Sequence, residues 1–480
     1  MTAKKQDKPA VRLGSGLSAA PTRLEYILFA LAAAACFLLF NHPDILETAR
    51  HSYILIRSTL DGNFLQFFED TLSRTYGYPY VNAAHYNILM YILYALWVLP
   101  LYLAEHLFGF AVGDEFLAMW CKVIGTGFYL GSGVLVGILA KKLGCKANTC
   151  KWAVMLFWLN PISFFSTLVM GQYDSICLFF TLWALVLYFE KRYMAFSLLV
   201  GVGMVFKFFP LFLFIPLLLL VEKRPLHLLK YGIVSLWLYL PTALLFLGRT
   251  GDASYFNGLM ADRLFQSAFP GTMADASWFG LGMVLLCVAA YLYRPKGDKA
   301  WQDAAVYSGL AVFSLLFLLV LWHPQWLILL PPFMILNMLC RREQYGYAYL
   351  NIALCIGFFI LTAVVYPGAL EGNLFDFGIL RPLTGWFYAL VEGRRCTAFY
   401  FNLIPYFVRL GAILFYGALM AQILFALPTG RGALSDRLAG AEPAPRMNCR
   451  LVCWGTFALA FGGFWLAPTL FTYCKALGFL

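Results

Sequence analysis

Four polar clusters interrupt an otherwise apolar chain, and each joins residue types able to move a proton or hold a sugar or phosphate. The first is Asn41-His42-Pro43-Asp44-Ile45-Leu46-Glu47, directly after the long apolar run Tyr26 to Phe40. A carboxylate here can serve as a base. The same pattern is also a helix-start signature, with Asp44 as cap and Glu47 completing a capping box. Ile45, Ala49, Tyr53, Ile56 and Leu60 recur at helical spacing, which predicts an amphipathic surface helix over 44–61.

The second cluster is Gly171-Gln172-Tyr173-Asp174-Ser175, at the turn between two apolar segments. Asp174 can cap the following helix and Gly171 can make the turn. Neither role occupies Gln172, and an amide beside a carboxylate is suited to sugar hydroxyls. In the third, Lys207 stands deep in an apolar run just before Phe208-Phe209-Pro210. Such a lysine needs an anionic partner, here a lipid-linked phosphate, or it snorkels to the headgroups. The fourth is Trp322-His323-Pro324-Gln325-Trp326. The tryptophans suit an interfacial belt, whereas His323 and Gln325 are candidates for sugar or phosphate.

The elements that position these residues belong to a membrane. Of the 480 residues, 62% are hydrophobic and only 12% charged, a composition outside the range of soluble domains. At roughly 20 residues per crossing, the chain has room for about a dozen helices and little for a water-soluble domain. The net charge of +11 is explained by basic residues at cytoplasmic membrane ends, without nucleic acid. The 12 cysteines lack metal-ligand spacing; Cys145 and Cys150 read as small core residues. Residues 1–25 are basic and lack a signal-peptide cleavage site, so Tyr26–Phe40 stays as a helix.

Orientation follows from the basic loops. If 1–25 is cytoplasmic and 86–110 does not cross, most Lys and Arg fall on the cytoplasmic side, in the tail and in turns near 141–151, 191–192, 223–230, 294–299, 341–342 and 431–450. The segment 86–110 is therefore expected to lie in the outer leaflet, bent at Pro100, leaving about 13 crossings. All four clusters then share the outer side. So do two longer loops, 248–276 and 367–404, which carry Arg249, Arg263, Arg381, Arg394 and Arg395. The chain contains no Walker loop, dinucleotide fingerprint or zincin motif, so a donor is expected to be membrane-borne.

In order and spacing, Asp44, Tyr78-Pro79, His85-Tyr86, Trp158-Leu159-Asn160-Pro161, Gly171-Gln172-Tyr173-Asp174 and Lys207-Phe208-Phe209-Pro210 resemble the polytopic GT-C glycosyltransferases. The likeness is to the dolichyl-phosphate-glucose glucosyltransferases, the first mannosyltransferase of GPI anchors and their bacterial relatives. It covers roughly 26–225, and more loosely His323 to Pro332. The resemblance implies an all-α polytopic membrane fold with amphipathic and in-plane helices in the first outer loop, and Asp44 as catalytic base with Glu47 in reserve. It further implies a substrate pocket drawing on Tyr78, His85, Tyr86, Gln172, Asp174, Lys207, Arg263, His323, Gln325 and Arg381. Where the glucosyltransferases carry Asp-Tyr-Pro-Pro, this chain has Gly77-Tyr78-Pro79-Tyr80, so the sugar stays open.

Three regions are expected: a cytoplasmic tail 1–25, a catalytic module 26–225 with its first outer loop at 41–116, and further crossings over 226–480. The expected activity is inverting transfer of a hexose from a polyprenyl-phosphate carrier to a lipid-linked or surface glycan acceptor, without metal or cofactor. The setting is a bacterial cell membrane, or the ER membrane in a eukaryote. The rival is a transporter or flippase of a lipid-linked glycan. A transport path, however, needs polar residues on both halves of the membrane, and here they cluster at one end.

Overall fold

A computed structural model describes residues 19–73, 76–77, 82–248, 263–265, 276–366, 378, 406–429, 432–439, 445 and 447–476. Apart from one two-residue hairpin (Pro428–Thr429 with Gly432–Ala433), the regular structure described is helical. Helix α1 (Arg23–Leu39) is opened by a capping box between Thr22 and Glu25 and bends 66° into α2 (Pro43–Leu60). A short α3 (Phe67–Leu72) follows, then α4 (Ile88–Phe108) and α5 (Asp114–Lys142). Helices α6 (Ala147–Trp158) and α7 (Pro161–Phe164) are separated by Asn160-Pro161, where the chain bends 52° and then runs through a π turn at Phe165–Val169. Proline cannot continue the hydrogen-bond ladder of α6, and the Asn160 side chain accepts the first two amides beyond it.

The next helices are α8 (Asp174–Phe189), α9 (Tyr193–Met204), α10 (Phe209–Val221), α11 (Pro225–Ser235) and α12 (Tyr239–Leu245). After them come α13 (Trp278–Leu292), α14 (Asp298–Leu319), a 3₁₀ turn at Pro324–Leu329, α15 (Pro331–Cys340), α16 (Gln344–Val365) and α17 (Phe407–Phe425). The described chain closes with α18 (Leu434–Leu438), α19 (Cys449–Thr456), a π segment Phe457–Leu466 and α20 (Ala467–Ala476).

Among the described residues six helices are long and apolar enough to cross a membrane, or up to nine if each of three bent pairs counts once. The count of about 13 is not confirmed among the described residues. Several apolar runs are realised as helices of 10–17 residues, among them α8, α9, α10 and α13, and others are broken at their prolines. The segment expected to bend at Pro100 is one continuous helix, α4, which meets the length and apolarity of a crossing. It packs on α2 and meets α5 through reciprocal bonds, Trp97 Nε1 to Trp120 O (2.8 Å) and Trp120 Nε1 to Trp97 O (2.9 Å).

The turns sort onto two ends of the bundle. At one end, Glu25 pairs with Arg450 (2.9 Å), Lys142 with Glu190 (2.9 Å) and Lys191 with Asp298 (2.9 Å), while Arg341 lies 3.8 Å from both Asp303 and Asp436. These are the basic turns expected to be cytoplasmic. At the other end the polar clusters converge. There Lys122 of α5, fully buried, donates to three carbonyls at the end of α1: Phe40 (2.5 Å), Phe37 (3.0 Å) and Cys36 (3.4 Å). The last carbonyls of a helix have no partner within it, and a lysine from the neighbouring helix supplies one. Arg50 of α2 and Asp114, in the first turn of α5, form an ion pair at this same end.

Candidate functional site

The site is built on the corner between α1 and α2. Phe40 is extended (φ −125°, ψ 146°) and ends α1. Asn41 is buried and accepts the His42 amide (3.1 Å). His42, not Asp44, caps α2: its Nδ1 accepts the Asp44 amide at 3.3 Å, with Pro43 as first helical residue. The capping role read for Asp44 is thus corrected. The carboxylate is left over, its side chain 39% exposed and carried at a helix amino terminus that favours negative charge. Glu47 completes no capping box; its Oε1 accepts the backbone amide of Asn82 (2.7 Å). One turn on, His51 Nε2 donates to the Asn82 carbonyl (2.7 Å). Both polar groups of one loop residue are thereby held by α2.

Gly171 brings the second cluster up to this corner. It adopts φ +69°, and a Cβ there would lie 2.5 Å from Asn41 Oδ1 and 3.3 Å from the Lys122 side chain, so glycine is required both for the turn and for the approach. Gln172, 1% exposed, reaches across with Nε2 3.1 Å from Asp44 Oδ2 and 3.3 Å from His42 Nδ1. Asp174 opens α8 without a side-chain cap bond, which corrects its reading as a cap. Its Oδ1 accepts Lys207 Nζ at 2.8 Å, and its Oδ2 is buried with no hydrogen-bond partner. Lys207 does not snorkel: its side chain is 8% exposed, with Nζ 5.4–5.9 Å from the ring centres of Tyr173, Tyr86 and Trp326.

Beside Lys207 opens a largely apolar cavity of about 210 Å³, lined among others by His85, Tyr86, Asn87, Phe208, Tyr239 and Trp326. Asn87 Nδ2 donates to Thr242 (2.7 Å), tying the start of α4 to α12 at the cavity wall. The His323 ring packs on Trp326 (5.2 Å) and Tyr366 (5.4 Å), and Arg263 lies 5.7 Å from the Trp326 centroid. Gln325 is buried on the same 3₁₀ turn. Tyr78 and Arg381 fall outside the described residues, as do Arg249, Arg394 and Arg395. Asp44, His85, Tyr86, Gln172, Asp174, Lys207, Arg263 and His323 gather at one end of the helices. Asn41 and His42 stood in the first cluster without a role of their own, and Lys122 went unremarked in the sequence. His42 carried a signal, since it occupies the N-cap position once Pro43 is taken as first helical residue; Lys122 lies in an apolar run and carried none.

Burial alone would push the Asp44 carboxyl up, but His42 beside it and the Gln172 amide hold it well below the usual carboxylate range. Burial pushes Glu47 up, opposed by the Asn82 amide. Burial, with Arg263 and Lys207 adding to it, pushes His323 down to about 3, and burial together with Lys207 lowers His85. On α2, Asp44 is held ionised with its side chain partly exposed, and His323 is held neutral beside two cations.

An all-helical membrane bundle thus gathers the Asp44 carboxylate, the Gln172 amide and the Lys207–Asp174 pair at one end, beside an apolar cavity. A family model for glycosyltransferase family 87 matches residues 88–327, half of the chain. The chain belongs to this family and is a multi-pass integral membrane glycosyltransferase. Comparison with curated proteins and with solved structures yields no match. The matched residues include Gln172, Asp174, Lys207 and His323 but begin after Asp44.

Proposed function

We propose that the chain transfers one hexose, with inversion, from a polyprenyl-phosphate carrier to a lipid-linked or surface glycan acceptor on the outer face of the membrane, with Asp44 as the base. The observation that carries this reading is the state of Asp44: accessible, ionised, released from capping by His42 and aimed by Gln172. In the reaction the acceptor hydroxyl gives up its proton as its oxygen attacks the anomeric carbon. The lipid phosphate leaves as an anion and needs no acid, so a single carboxylate suffices. Lys207, His323 and Arg263 stand where they can steady the phosphate, and the apolar cavity beside Lys207 suits the start of a hydrocarbon carrier. Gln172 and Asp174, expected in the sugar pocket, are buried behind Asp44 and Lys207 and hold those two side chains in place. In this reading 26–225 is the catalytic module, with 41–116 as its outer loop, and 226–480 adds His323, Arg263 and the rest of the bundle. The clustering at one end also favours transfer over translocation.

Asp44→Asn tests it. Because the cap belongs to His42, the substitution leaves the helix start intact. We expect normal membrane abundance and transfer of a radiolabelled polyprenyl-phosphate sugar reduced at least about a hundredfold. Near-normal transfer in Asp44→Asn together with loss in Glu47→Gln would move the base to Glu47.

A further inference from the structure

We propose that His42 is the partner through which Asp44 works: its Nδ1 receives the proton that Asp44 removes from the acceptor hydroxyl. This deepens the reading of Asp44 as base and rests on it. Three groups crowd Nδ1: the Asp44 amide nitrogen at 3.3 Å, Gln172 Nε2 at 3.3 Å and Asp44 Oδ1 at 3.2 Å. The first two are donors, and to accept either of them Nδ1 must present a lone pair. That lone pair then stands at hydrogen-bonding distance from a carboxylate oxygen, which also has only lone pairs to offer. Two acceptors held this close leave room for one proton between them, so a proton arriving at Asp44 Oδ1 has His42 Nδ1 as its next acceptor. The backbone maintains the contact, because His42 is the helix cap and the ring of Pro43 fixes the turn into α2.

The step balances. The hydroxyl oxygen bonds to the anomeric carbon, the bond from that carbon to the phosphate oxygen breaks with its electron pair going to the phosphate, and the hydroxyl proton passes to Asp44 Oδ1 and on to His42 Nδ1. Asp44 is an anion before and after. His42 goes from neutral to imidazolium, and its new charge offsets the one gained by the departing phosphate. With its side chain 17% exposed, His42 can release the proton to water before the next turnover.

The test is the pH dependence of transfer from radiolabelled polyprenyl-phosphate mannose and glucose, measured on the full chain in detergent from about pH 5 to 8. The charged and titratable groups around His42 are Asp44 and Glu47 on α2, Asp174 and Lys207 across the site, His85 from the outer loop, and His323 with Arg263. A protonated Nδ1 has no lone pair, so the wild-type rate is expected to fall toward acid. Asn is among the best helix caps but cannot take up a proton. His42→Asn is therefore expected to keep α2, to lower kcat about 10- to 100-fold at unchanged donor KM, and to lose the acid limb, which Glu47→Gln and His85→Asn keep. Wild-type kcat in His42→Asn, or an acid limb that survives in it, overturns the proposal. Should that variant not accumulate, His42→Ser takes its place, and a wild-type rate that does not fall between pH 8 and 5 overturns the proposal by itself. An active Asp44→Asn would defeat the base assignment. An inactive Asp44→Asn beside an active His42→Asn would leave Asp44 as base and remove only the relay.

Discussion

Lys207 and Asp174 form a buried ion pair, with side chains 8% and 2% exposed, and such a pair is costly to break from one side only. Removing either partner strands a charge, typically at about 3–5 kcal/mol, whereas replacing both with apolar groups of similar size is often neutral. We therefore expect Lys207→Met and Asp174→Leu each to lower thermal stability in detergent, and the double variant to recover most of it. The double variant is expected to bind a polyprenyl-phosphate sugar poorly even so, because the cation proposed for the phosphate is gone. Wild-type donor affinity in a stable double variant would reduce the pair to packing. The pair also marks the limit of what could be read residue by residue. Sequence spacing identified Lys207 as needing an anion and Asp174 as standing at a helix start, yet it could not show that each is the other's partner across 33 positions.

At the scale of elements, α2 is the keel of the outer loop, because Glu47 and His51 grip both polar groups of Asn82. Burial holds His51 down at about 4, against about 6.5 in an unfolded chain. Between these values the unfolded chain binds the extra proton, so folded stability falls as the pH drops from about 6.5 toward 4. The loss amounts to at most about 3 kcal/mol. Thermal unfolding of wild type and His51→Gln across that range should converge in acid, and parallel curves would remove His51 as the cause. This helix was legible from its apolar spacing, 44–61 expected against 43–60 found. Its cap was not, because Asp is as good a capping residue as any and only the position of Pro43 tells the two apart.

For the whole molecule, the open matter is α4. Lys122 joins the end of α1 to α5, and Arg50 joins α2 to the start of α5, so the chain leaves α1 and enters α5 at the same end of the bundle. That geometry agrees with a loop 41–116 that begins and ends on one side, although α4 alone has the length and apolarity to cross. We expect a cysteine at Gly113 to be labelled by an impermeant maleimide from outside and not from the cytoplasm. Labelling from the cytoplasm alone would overturn the arrangement. Composition and the positive turns conveyed the all-helical membrane class and the sorting of loops to two ends. The count of 13 crossings is not confirmed among the described residues, because apolar length measures burial in protein as well as in lipid: α14 is mostly buried within the bundle, while α8, α9 and α10 fall short of a full span.

The lysine that gathers the last carbonyls of α1 has a bearing on how such an enzyme can change. It anchors the corner carrying Asp44 to the longest helix described, and Gly171 locks the same corner against the facing turn. The proposed base is then a fixed point of the frame, and the substrates must travel to it. A lysine with no part in the proposed chemistry is thus expected to be among the hardest residues to replace.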